Sequence, residues 1–114
     1  MTKIDDLIIK FLEIDLIDKK KNKIIFTENA KKIIHEIAIQ AKDLNIIKSS
    51  QNKINKFVNE NTAEEIYINL LVKIKNAPTI MQMKYSAYIN IYALDKKLKQ
   101  EEKAWHLKKQ KEFY

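Results

Sequence analysis

The sequence predicts an all-α protein: a small helical bundle of four to five helices closed by one long C-terminal helix. Three observations carry that expectation. Apolar residues recur at helical spacing along nearly the whole chain. Glycine is absent and proline occurs once, so little breaks a helix or builds a tight hairpin of the primed type. Ile, Leu, Val and Phe supply 35 of the 114 residues, enough for the core of a single domain spanning residues 1–114.

The elements follow in order. Thr2 is placed to cap a first helix, with Asp5 three residues on as its reciprocal partner. Ile4, Leu7, Ile8 and Phe11 form one face, which Ile14 and Ile17 extend less regularly. Asp18–Lys23 reads as a charged connector. Ile24–Phe26 is the one short β-like run and, lacking an evident pairing partner, reads as an extended lead-in to the next helix. Thr27 caps that helix, where Ala30, Ile33, Ile34, Ile37, Ala38, Ala41 and Leu44 make an amphipathic stripe. Asn45–Ser49 reads as a loop. Ser50 then caps a short helix carrying Ile54, Phe57 and Val58, which Asn59–Asn61 ends. Thr62 and Glu65 form a capping box for the next helix, whose apolar set is Ile66, Leu70, Leu71 and Ile74.

Pro78 interrupts, and Asn76–Ala77 before it should leave helical geometry. From about Thr79 to Tyr114 nothing breaks the helix. Thirty or more residues at about 1.5 Å each reach about 45–50 Å, longer than a domain this small. Residues 1–77 therefore form the bundle, and 79–114 a long helix that projects in part. Ala87, Ile91, Leu94 and Leu98 keep a 3-4 spacing. The next seam positions, Glu101, Trp105, Lys108 and Glu112, do not continue it.

The residues that are missing exclude function classes. Without glycine there is no Walker loop, dinucleotide fingerprint or nucleophile elbow. Without cysteine there is no disulfide, thiolate nucleophile or cysteine zinc site. Without arginine the cations are all lysine point charges. His35 and His106 stand alone, and Ala38 and Ile39 at the metal-sharing spacings from His35 cannot be ligands. Asp5–Asp6 and Glu64–Glu65 sit at helix starts, where the macrodipole accounts for them. Ser49, Ser50 and Ser86 have no local base. The expectation is a non-enzymatic protein with no metal and no cofactor. Met1–Lys10 has no basic flank followed by a long apolar core, and no apolar run approaches the ~20 residues that span a bilayer. The reading is cytoplasmic, with no membrane partner.

Lys84–Tyr114 is the informative region. Eight lysines face four acidic residues there, a net of +4, with Tyr85, Tyr88, Tyr92, Trp105, Phe113 and Tyr114 interleaved. Lysines that neutralise phosphates and rings that stack on bases hold single strands without sequence preference. The candidate binding residues are Lys96, Lys97, Lys103, Trp105, Lys108, Lys109, Lys111, Phe113 and Tyr114, with Trp105 as the stacking residue. An ordinary packed face for Tyr88 and Tyr92, and a solvated Lys/Glu surface, are the plainer alternatives. Lys19–Lys20–Lys21 with Lys23 reads as a charged connector ahead of a phosphate patch.

Two local resemblances add to this. Lys84–Tyr85, Tyr88 or Ile89, Asn90, Leu94, Lys96–Lys97, Glu101 and the ending Glu112–Phe113–Tyr114 resemble part of the T-even-type phage recombination mediators, small helical proteins that load recombinase onto single-stranded DNA. The resemblance covers about 31 of 114 residues, and the family's glycine-containing turn and further helical region have no counterpart here. It implies oligomerisation and single-strand binding through Lys96, Lys97, Lys108 and Lys109. Asn22–Lys23–Ile24, Phe26–Thr27–Glu28 and the helix to Leu44 look like the last helical hairpin of the immunity proteins of pediocin-like bacteriocins, but stand here in the first third of the chain. The leading expectation is an accessory protein binding nucleic acid or a nucleoprotein complex. The alternative is a protein partner gripped, as by an inhibitor or immunity protein, through an exposed aromatic C-terminal helix. A third is a homo-oligomer built on the Ala87–Leu98 seam.

Overall fold

The computed structural model describes the backbone of residues 3–76 and 80–112, and the side chains of residues 3–76 and 85–104. The described residues form six helices and one two-stranded hairpin, one helix more than the sequence suggests. Helix α1 (Lys3–Leu12) places Asp5 and Asp6 in its first turn and Lys10 in its last, matching the helix dipole. It buries Ile8 and Phe11, with Ile4 and Leu7 packed at the margin. Thr2, the expected cap, lies outside the described residues.

The segment after α1 differs from the expectation. Strand β1 (Ile17–Asp18) pairs antiparallel with β2 (Lys23–Ile24), Ile17 opposite Ile24 and Asp18 opposite Lys23. The Ile25 N–H extends the ladder to the Leu16 carbonyl at 2.8 Å. The β-like run thus has a partner, and that partner was hidden because Ile14 and Ile17 keep a helical spacing. Ile17 is 51% exposed and does not continue the α1 face, whereas its neighbour Leu16 is buried. The turn needs no glycine. Asp18 Oδ1 accepts from the Lys20 and Lys21 amides at 3.0 and 3.4 Å, and Asn22 takes the left-handed position at φ 49°. Asparagine tolerates that region better than most side chains. Of the lysines of the supposed connector, Lys19, Lys20 and Lys21 are therefore exposed turn residues, and Lys23 is an exposed strand residue.

Helix α2 (Glu28–Ala41) starts as expected, with Thr27 Oγ1 accepting from the Ala30 N–H at 3.2 Å. Its stripe from Ala30 to Ala41 is buried, and Leu44 beyond it is partly so. Asn45–Ser49 is not a loop but a short helix, α3. The Leu44 carbonyl accepts from the Ile47 and Lys48 amides, and the turn delivers Ile47 wholly into the core. Five residues are too few for a period to be read from sequence. In α4 (Gln51–Glu60), Ser50 holds the N-cap position without a side-chain capping bond, so the expected serine cap is not made. Ile54 and Val58 are buried as expected, and the Asn61 side chain closes the helix on the Phe57 carbonyl at 2.9 Å.

Helix α5 (Ala63–Asn76) carries the capping box in full: Thr62 N–H to Glu65 Oε1 at 2.9 Å, and Glu65 N–H to Thr62 Oγ1 at 3.1 Å. The expected break at Ala77–Thr79 lies outside the described residues. Helix α6 (Ile80–Glu112) has 33 residues. At 1.5 Å per residue it is about 50 Å long, against a longest molecular dimension of 51 Å.

Helix α6 is the hub of the bundle. It packs against α2, α3, α4 and α5, while α1 lies on α2. Ala87, Ile91 and Leu94, three of the four seam residues, are buried in the chain's own core, and Leu98 sits at its edge. A seam for self-association cannot use those three side chains. Phe11 stacks on Tyr67 at 5.8 Å, and Phe26 meets the same ring edge-on at 5.8 Å, tying α1 and the segment between the hairpin and α2 to α5. Fully burying a ring such as Phe11 is worth about 1.5–3 kcal/mol. Burial, and secondarily the nearby Asp15 charge, pushes the Tyr67 phenol above its ordinary value. Among the described residues one polar side chain lies in the core: Asn90, 1% exposed, accepts from Asn69 Nδ2 at 3.1 Å and donates to the Ser86 carbonyl at 2.8 Å. Tyr88 is buried and donates its hydroxyl to Asp5 at 2.6 Å, joining α6 to α1. Among the described residues no helix is long and apolar enough to cross a membrane.

Candidate functional site

Helices α2 and α6 pack together, with Ala38 buried on the α2 side beside their contact. Just outside this contact, residues three or four apart on each helix form parallel ridges. Lys31, His35, Ile39 and Lys42 rise from α2, and Tyr92, Asp95, Lys96 and Lys99 from α6. The ridges bound a groove of two adjoining hollows, about 300 and 200 Å³, which share His35, Asp95 and Lys99. Five lysines line it against three carboxylates, those of Glu28, Asp95 and Glu102.

Asp95 occupies the middle. Its side chain is 13% exposed, with Oδ1 3.3 Å from His35 Nδ1 and Oδ2 3.1 Å from the Lys99 ammonium. Lys31 pairs with Glu28 at 3.7 Å along α2, and the Lys96 ammonium donates to Asn55 Oδ1 on α4. Ala38, Ile39 and Tyr92 supply the apolar wall. Among the described residues no serine or threonine lines the groove. Among the described residues no group of three or more His, Asp or Glu side chains could hold a metal ion. What the described lining offers is a surplus of cations over carboxylates. A further opening of about 340 Å³ near Ile4, Leu44 and Tyr85 has no cation among the described residues that line it.

The candidate residues read from the sequence fare differently. Lys96 lines the groove. Lys97, one residue on, turns away and donates to the Val58 carbonyl at 3.1 Å, where a cation meets the C-terminal part of α4. Its charge is engaged inside the fold rather than held out for a ligand. Lys103 is exposed. The side chains of Trp105, Lys108, Lys109, Lys111, Phe113 and Tyr114 lie outside the described residues. From Lys99 to Ala104 every residue is exposed, so no face of α6 is covered over more than one turn. The sequence reading missed the α2 side of the groove: Lys31, Lys32, His35 and Lys42. The signal was a basic ridge bordering a clear apolar stripe, but only the packing shows which ridge of α6 it faces.

In comparisons with known proteins, no family model, curated protein or solved structure matches the chain.

Proposed function

We propose that this is a non-enzymatic accessory protein of the cytoplasm that engages nucleic acid, or a nucleoprotein assembly, through Lys-rich helical faces. The observation that carries the reading is the α2/α6 groove, where five lysines and a histidine converge from two helices on one channel. A chain of net charge +7 without arginine meets anions as point charges, which suits a phosphate backbone and carries little base selectivity. Tyr92 and the 55%-exposed Ile39 border the same channel and offer surface on which bases can rest. The likeness of Lys84–Tyr114 to recombination mediators points the same way, and Lys103 adds a cation where α6 leaves the body.

The test is a fluorescence titration with a short single-stranded oligonucleotide at two salt concentrations. The expected result is measurable affinity at low salt that falls steeply as salt rises; no affinity at low salt overturns the reading. A second reading, a protein-binding inhibitor or immunity factor, is favoured by the uncovered stretch Lys99–Ala104, which leads toward Trp105. That reading expects a protein complex that tolerates salt and is lost when Trp105, Phe113 and Tyr114 are truncated.

A further inference from the structure

We infer that the α2/α6 groove holds a phosphate site whose resident anion is Asp95. The inference rests on the nucleic-acid reading and deepens it: the ligand is one phosphodiester of the strand, seated where His35 and Lys99 now face the aspartate. Among the described residues Asp95 is the one carboxylate that borders both hollows of the groove, and it is nearly covered. Its two donors are not covered. The side chains of His35 and Lys99 are 45% and 57% exposed, so each can turn its N–H toward solvent without disturbing the core. Lys42 and Lys96 line the same hollow and would lie beside the incoming anion.

A carboxylate and a phosphodiester make the same demand on this site. Each carries one negative charge and only accepts hydrogen bonds. Asp95 therefore keeps the donors pointed at the place a phosphate takes, and at the same time repels that phosphate. Removing its charge while keeping its shape separates the two effects. Asp95→Asn retains an acceptor for His35 and Lys99 but withdraws one negative charge from within a few ångströms of the ligand. In the partly wet groove this is worth roughly four- to tenfold in affinity. The sign is the distinguishing feature, since a merely structural clamp would bind no better after losing its charge.

The test measures binding of a short labelled oligothymidylate by fluorescence anisotropy, with backbone amide shifts followed on the same titration. Asp95→Asn should bind about fourfold tighter or more, while Glu13→Gln, an equal charge change at an exposed position after α1, should stay within twofold. Amide signals of Lys31–Lys42 and Tyr92–Lys99 should move. Lys99→Gln, at an exposed side chain, tests the same site should Asp95→Asn not fold, and it should lose severalfold. If the wild type binds while folded Asp95→Asn is no tighter, or Lys99→Gln is no weaker, the site is overturned and the nucleic-acid reading stands. If neither wild type nor variants bind at low salt, both are overturned.

Discussion

The groove sets how strongly salt should weaken nucleic-acid binding. Of its five lysines, Lys31 is paired with Glu28 and Lys96 donates to Asn55, leaving Lys32, Lys42 and, once it turns from Asp95, Lys99 to meet phosphates. Each phosphate contact to a single strand contributes about −0.7 to the slope of log affinity against log salt. Three contacts give about −2.1, so raising salt from about 50 to 200 mM should weaken binding roughly twentyfold. Lys42→Gln removes one contact, bringing the slope to about −1.4 and the loss over that range to roughly sevenfold. Lys97→Gln is the matched control, because its ammonium is engaged by the Val58 carbonyl. Anisotropy of a labelled single strand over a salt series measures all three slopes. A slope unchanged in Lys42→Gln, or lowered as much in Lys97→Gln as in Lys42→Gln, would refute the assignment of these contacts to the groove.

Three further outcomes concern the fold. Asn90→Leu fills the same space but strands the Asn69 amide donor, and should cost about 1–2 kcal/mol in urea unfolding; pairing it with Asn69→Leu should recover part of the loss. Tyr67 keeps its proton in the folded state above the ordinary phenol value of 10.0, so its contribution is complete below that pH and is lost as pH rises past it toward the folded value. The stability difference between wild type and Tyr67→Phe should therefore shift in favour of Tyr67→Phe above about pH 10, and a difference constant with pH would contradict this. Thr62→Ala removes one half of the capping box and should cost about 1 kcal/mol, most of it restored by Thr62→Ser, as read by denaturant midpoints.

Much of the bundle can be read in the sequence because its helices are long and carry their own punctuation. The α2 stripe is unambiguous over seven apolar positions, and Thr27 and Thr62 make the capping bonds their positions predict. The expectation of one long final helix holds because no residue between Ile80 and Glu112 opposes it. What escaped was decided by contacts between segments distant in sequence. The hairpin needed Leu16–Asp18 to find Ile24, and α3 exists because Ile47 has a core to enter. Asn90 falls on a buried face, where its spacing alone suggests an apolar residue. The groove is the strongest case. His35 and Asp95 are sixty residues apart, and Lys96 and Lys97 are adjacent with opposite fates. A lysine's position on a helix gives its direction only once the neighbouring helix is known.

The central position of α6 bears on how the chain is made. Synthesis runs from the N-terminus, and domains generally fold as units. Here the element against which α2, α3, α4 and α5 all pack is made after all four of them. Until Ala87–Leu94 emerges, Ile33, Ile37, Ile54 and Ile66 belong to stripes with no central helix to close on. The nascent chain must wait, with its greasy surfaces open, until α6 has been made and can close them.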